Sequence, residues 1–136
     1  MTDLELLARI IKCEAGGEGD TGMRAVATVV MNRVRAYEGE YGRYNSPRDV
    51  IFAARQFECV SHPTQNIYNI APEQIHYDIA SWALAGGQLG AVGEAFWFYN
   101  PYSEVCRPYF PSEVGSFLIR IGDHCFYAPT PSYYLT

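Results

Sequence analysis

Residues 10–20 read IIKCEAGGEGD. An apolar, helix-like run meets a carboxylate, Glu14, and then a glycine pair and two further acids, Glu18 and Asp20. In the last turn of a helix, Glu14 would face the negative end of the backbone dipole, which disfavours its charge. Ile10 and Ile11 beside it, and Glu18 and Asp20 after it, push the same way, because desolvation and like charge both favour the protonated form. A carboxyl that keeps its proton near neutral pH is what a general acid requires. Spacing alone also fits a solvated glutamate at a helix end, the commoner fate of a charged residue.

The flanks make this segment the junction of two helices. Upstream, Thr2-Asp3-Leu4-Glu5 has the form of a capping box, with Met1 and Leu6 placed as a hydrophobic staple. Leu4, Leu7 and Ile11, widened by Leu6 and Ile10, form an apolar stripe. Gly16-Gly17 is expected to end the helix through a left-handed glycine. Downstream, Asp20 or Thr21 is expected to cap a second helix over residues 22–35. Met23, Val26, Ala27, Val30 and Val34 recur there at helical spacing, and Ala25 and Val29 widen the face. Its polar exceptions, Thr28 and Asn32, share a side.

Residues 36–45 read as an exposed loop. Ser46-Pro47-Arg48-Asp49 restarts a helix with proline at its first position, with a buried face of Val50, Ile51, Ala54 and Phe57, broken by His62-Pro63. Pro72 opens a fourth helix whose face is Ile75, Ile79, Trp82 and Ala83, closed by Gly86-Gly87. After Gly93 the character changes. Residues 95–99, AFWFY, form a short aromatic strand. Phe117, Ile119 and Ile121 alternate before Gly122-Asp123 and Cys125-Phe126-Tyr127, which predicts a hairpin about Gly122-Asp123. Residues 128–136 read as an irregular tail. The fold class expected is α+β: one mostly helical domain over residues 1–136, with a small antiparallel sheet near the C-terminus.

Composition narrows the function. The 136 residues suit one domain with a real core. A net charge of −5 gives no basic footprint for nucleic acid. No segment reaches transmembrane length, and residues 1–20 lack the basic start and long apolar run of a signal peptide. The chain is therefore expected to be soluble and not exported by the usual route. Cys13, Cys59, Cys106 and Cys125 are scattered without a CxxC pair, so free thiols in a reduced compartment are the default, with one cross-link left open. His62, His76 and His124 show no zinc spacing, and each reads as a structural or surface histidine. Glu14, Glu18 and Asp20 do not match an EF-hand loop. No metal and no cofactor is expected. A cysteine nucleophile, Cys13 or Cys59 with His62 or His124, stays open without a supporting local motif. Aromatics make up 15% of the chain, which serves either core packing or a groove lined with flat rings.

The stretch CEAGGEGDTGMRAVATVVMNRV, residues 13–34, resembles the opening motif of the SleB/CwlJ family of spore cortex-lytic cell-wall hydrolases. That motif is an acid-Ala-x-Gly-Glu unit and a glycine, followed by an apolar helix ending in Asn-Arg-Val or Asn-Arg-Leu. VIFAARQFECV, ALAGG, FWFYNP and IRIGDHCFY follow in the family's order, and the HCFYAPT ending is closer to the CwlJ branch. The resemblance implies a lysozyme-like or lytic-transglycosylase-like domain acting on the glycan of spore cortex peptidoglycan, which bears muramic-δ-lactam, during germination. By the same resemblance Glu14 is the catalytic acid. Gly16 departs from the family's frequent arginine. Cleavage is expected to follow the single-acid lytic transglycosylase route, with the muramic C6 hydroxyl attacking to leave a 1,6-anhydro end. Glu18, Thr28, Asn32, Phe57, Tyr99 and Asn100 are the candidates for binding sugar. A hydrolytic glycosidase with Glu18 as partner carboxylate, and a non-catalytic coat or cortex-binding protein of the same fold, remain the alternatives. The resemblance further implies work at the coat–cortex boundary after synthesis in the mother cell, and a small coat partner of the GerQ type.

Overall fold

The computed structural model describes residues 1–53 and 56–136. Its elements run α1 Asp3–Ala15, α2 Gly19–Arg35, α3 Pro47–Ile51, α4 Glu58–Ser61, α5 Gln74–Leu84, β1 Trp97–Tyr99, β2 Gly115–Ile121 and β3 His124–Pro129. The α+β class holds: a helical body carries a three-stranded antiparallel sheet in the order β1-β3-β2.

α1 starts as its sequence dictates, with Thr2 Oγ1 accepting the Glu5 N–H at 3.1 Å. Leu6, Leu7, Ala8, Ile10 and Ile11 are sealed against α2, α3 and α5. The ending differs from expectation. Gly16 keeps a right-handed conformation, and the left-handed residue is Gly19, at φ +77°, which opens α2. α2 therefore begins before Asp20 and Thr21, with Glu18 at its N-cap and no side-chain capping bond. Asp20 instead pairs with Arg24 one turn on, at 2.6 Å.

The third helix is two pieces. α3 stops at Ile51, and Phe57 has an extended backbone before α4 begins. Val50, Ile51 and Phe57 are buried as expected, and Ala54 lies outside the described residues. In α5, Glu73 and His76 form a reciprocal capping box. This turns His76, Ile79, Ala80 and Ala83 inward and leaves Ile75 exposed.

β2 and β3 meet at Ile121↔His124 about the predicted Gly122-Asp123 turn. The alternation in β2 breaks between Phe117 and Ile119, where the register shifts, so Leu118 is also exposed. Residues 36–45 and 128–136 are not simply open chain. A 3-10 turn over Glu40–Arg43 buries Tyr41, and another over Pro131–Leu135 buries Tyr133. The Tyr133 hydroxyl accepts the Tyr41 N–H at 2.9 Å and donates to the Glu38 carbonyl at 2.8 Å. With Phe96, Trp97 and Tyr127 these rings form a second, aromatic core beside the helical one.

The cysteine expectation is corrected. Cys13 is bonded to Cys59 and Cys106 to Cys125, with no free thiol left. The pairings join residues 46 and 19 positions apart, contacts that no local spacing encodes.

Candidate active site

The end of α1, the end of α2, the segment before α4, the end of β1 and the tip of the β2–β3 hairpin converge on an open cleft of ≈ 370 Å³. Glu14 lines it, held by the last turn of α1. Its Oε1 is sealed from solvent and has no hydrogen-bond partner. A buried carboxyl oxygen without a partner is unusual in a folded protein. Burial pushes the Glu14 carboxyl from 4.5 up to about 7. The Cys59 backbone amide opposes the shift, the Glu58 charge adds to it, and the Arg33 guanidinium opposes it. The direction is the one the sequence implied, but the neighbouring charge is not. Glu58 stands beside Glu14, while Glu18 turns to the hairpin and Asp20 to Arg24.

Arg33 forms the cleft floor. It is buried, donates from Nε to the Phe96 carbonyl at 2.6 Å and from a terminal nitrogen to Gln56 Oε1 at 3.0 Å. Its guanidinium carbon lies 4.7 Å over the Tyr41 ring and 5.2 Å over the Phe57 ring. Burial lowers its pKa from the usual arginine value. Such packing fixes a positive charge near Glu14 without letting it close into an ion pair.

Of the candidates read from sequence, Phe57, Tyr99 and Asn100 line this cleft with Glu14. Phe57 is a buried wall, and Tyr99 is stacked on Phe110 at 4.4 Å with its hydroxyl accepting the Arg107 N–H. Asn100 Oδ1 accepts the Tyr102 N–H at 2.7 Å, which leaves its amide N–H groups for a ligand. The structure places the other three elsewhere. Thr28 is fully buried, donating to the Arg24 carbonyl and accepting the Leu89 N–H. Asn32 donates to the Gly93 and Ala95 carbonyls and borders a different groove. Glu18 accepts the Asp123 N–H at 3.0 Å and meets His124 Nδ1 at 2.5 Å, behind the cleft wall.

Sequence reasoning missed Arg33, Glu58 and Tyr102 and weighed His124 only as a cysteine's partner or a structural histidine; all four line the cleft. Arg33 and His124 sit inside the quoted blocks MNRV and IGDHCFY, which was the available signal. Tyr102 had none. It stands on the rim, 90% exposed, with a positive φ of 52°. Bulky side chains rarely adopt that backbone, and such strain gathers at ligand sites.

The cleft continues past Glu14. A second hollow is lined by Glu14, Glu58, His62 and Gln65, and a third by Lys12, Gln65, Glu73 and Ile75, with Cys13 bordering all three. Glu14 thus borders two of the hollows, and Cys13 and Gln65 are shared by the second and the third. Among the described residues, no cluster of three or more potential metal-ligating side chains occurs, and no helix is long and apolar enough to cross a membrane.

The chain belongs to the Cell Wall Hydrolase family, whose profile matches residues 17–127. That span begins after Glu14, so family membership does not by itself assign the acid. Its curated relatives include the cell wall hydrolase CwlJ of Bacillus subtilis, 29% identical over 94% of this chain and 86% of that protein. The CwlJ of Halalkalibacterium halodurans is 30% identical, with 94% and 86% covered. Among solved structures, the catalytic domain of the germination-specific lytic transglycosylase SleB from Bacillus anthracis superposes with a TM-score of 0.71 at 26% identity, covering 92% of this chain and 93% of that one. The Bacillus cereus SleB catalytic domain gives 0.70 at 27%, covering 92% and 88%.

Proposed function

We propose that this chain cuts the glycan strands of spore cortex peptidoglycan during germination, with Glu14 as general acid. The observation that carries the reading is the Glu14 carboxyl itself: sealed at Oε1, lifted to about 7, and in the lining of two adjoining hollows. Glu14 gives its proton to the glycosidic oxygen as the bond to the anomeric carbon breaks. Proton donation by a placed acid is typically worth about 10²–10⁴-fold in rate. The ring of Tyr102 and the Asn100 amide present a stacking face and donors to the sugar on the β1 side. Hollows that share Glu14 in their lining suit a polymer held across the acid, and the lifted acid favours a catalyst over a binding protein of the same fold.

The preferred chemistry is lytic transglycosylation, in which the muramic C6 hydroxyl closes on its own anomeric carbon. Support comes from the similarity to the SleB catalytic domain. A specific observation favours a second reading, hydrolysis. Glu58, exposed and in electrostatic reach of Glu14, is a second carboxylate on the cleft, and a two-acid glycosidase needs such a partner. Digestion of isolated cortex in ¹⁸O-water separates them. Fragments ending in unlabelled 1,6-anhydro-muramic acid are expected, and label in new reducing ends would establish hydrolysis.

A thiol mechanism is not part of the proposal, since every cysteine is paired. The same proposal places the enzyme at the coat–cortex boundary beside a small coat partner of the GerQ type. Two disulfides suit an oxidising place of work, and the partner rests on the family resemblance alone.

A further inference from the structure

We infer that His124, oriented by Glu18, is the base that takes the proton from the attacking hydroxyl; this rests on the proposed glycan cleavage by Glu14. The hairpin tip delivers His124, the first residue of β3, to the cleft that Glu14 lines. Behind it, Glu18 Oε1 receives both the Asp123 N–H at 3.0 Å and His124 Nδ1 at 2.5 Å. With Nδ1 engaged by Glu18, Nε2 is the ring nitrogen left to face a substrate. Nε2 has no hydrogen-bond partner among the described residues. His124 lines the cleft, and its Nε2 is not sealed from solvent.

The pair is built into the fold. Glu18 stands at the N-cap position of α2, and its side chain reaches 106 positions along the chain to the hairpin. The Phe98 ring meets His124 edge-on at 5.5 Å and limits its rotation. Gly122 is left-handed at φ +57°, and a Cβ there would come within 3.0 Å of Glu18 Oε2, so the turn leaves room for the carboxylate. A carboxylate on Nδ1–H fixes the tautomer and stabilises the imidazolium that forms.

The protons balance. Glu14 loses one to the glycosidic oxygen as the C1–O bond breaks. His124 Nε2 gains one from the hydroxyl whose oxygen bonds to C1. The imidazolium then returns its proton to the Glu14 carboxylate through solvent. Glu14 is thereby spared a double role as acid and base. Glu18 touches no reacting atom and is a positioning residue.

The test is kinetic, on isolated spore cortex, with His124→Gln, His124→Ala, Glu18→Gln and Glu14→Gln compared after thermal unfolding has shown each to be folded. The glutamine amide can still donate to Glu18 but is no base. His124→Gln is expected to lower kcat by on the order of 10²–10⁴-fold with KM near wild type. His124→Ala should regain at least about tenfold when imidazole is added, because the free ring replaces the lost base. Glu18→Gln should lower kcat less, and its combination with His124→Gln should be no worse than His124→Gln alone, the non-additivity of groups acting as a unit. Turnover by His124→Gln within about twofold of wild type overturns the inference. So does a loss in His124→Ala that imidazole leaves untouched, since that is the outcome of a structural role. Inactive Glu14→Gln beside active His124→Gln sinks only this inference, whereas active Glu14→Gln sinks the proposed function.

Discussion

Glu14 and Glu58 are held in each other's field by the Cys13–Cys59 disulfide, of which each is an immediate neighbour in sequence. One covalent bond thus joins the end of α1 to α4, and the two acids come with it. Burial raises the Glu14 pKa, and the Glu58 charge adds to the effect. Removing that charge in Glu58→Gln should lower the Glu14 pKa. Activity requires protonated Glu14, so it should fall as pH rises through about 7 in the wild type. In the variant that fall should begin at lower pH. A pH–rate profile of both proteins checks this, and coincident alkaline limbs would show that Glu58 has no influence on the acid.

The same carboxyl costs stability. Its folded pKa, about 7, lies above the ordinary 4.5, so between these values the native state holds a proton that the unfolded chain has released. Stability therefore falls as pH rises through that window, then stays level. At 1.36 kcal/mol per unit the penalty at pH 8 is about 3 kcal/mol. Glu14→Gln, which cannot ionise, should be more stable than wild type by up to that amount at pH 8 and show little gain at pH 4. Denaturant titrations at the two pH values measure it. An equal or lower stability at pH 8 would show that Glu14 is not held in its neutral form by burial.

How much of this was readable beforehand follows how local each signal is. α1, α2 and the β2–β3 turn announce themselves through a cap, a stripe and a Gly-Asp pair that act within a few residues. The split of the third helix depends on Phe57 taking an extended backbone and on a disulfide partner 46 positions away. The docking of the tail rests on Tyr133 meeting Tyr41, 92 positions apart. Neither has a periodic signature. For the site, the position of Glu14 is legible because helix end, glycines and acids are contiguous. Thr28 and Asn32 share a polar helix side, which patterning reads as a groove, but they serve the backbones of Leu89, Gly93 and Ala95. Glu58 and His124 join the site only through tertiary contacts.

The disulfides should matter to stability before chemistry. Loop-closure entropy gives about 4 kcal/mol for the Cys13–Cys59 link and about 3 kcal/mol for Cys106–Cys125, from separations of 46 and 19. Single Cys→Ser changes should lower the melting temperature accordingly, while folded variants at each of the four positions retain turnover. Complete inactivation of a folded Cys59→Ser variant would return a thiol mechanism to consideration.

Tyr102, strained and exposed at the rim, should act in binding. Tyr102→Ala is expected to raise KM by roughly tenfold, the scale of one lost aromatic contact of ~1 kcal/mol or more, with kcat nearly unchanged. Initial rates on soluble cortex fragments of defined length give both constants. A fall in kcat at constant KM would move Tyr102 from binding to catalysis.

The central claim is that Glu14 supplies the proton that breaks the glycosidic bond. The most direct measurement is the release of glycan fragments from isolated spore cortex by Glu14→Gln, followed by mass spectrometry, with folding verified by circular dichroism. The amide preserves the shape of the side chain but is not an acid, so the rate should drop by on the order of 10²–10⁴-fold while the fold persists. A folded Glu14→Gln variant that digests cortex at the wild-type rate would contradict the account.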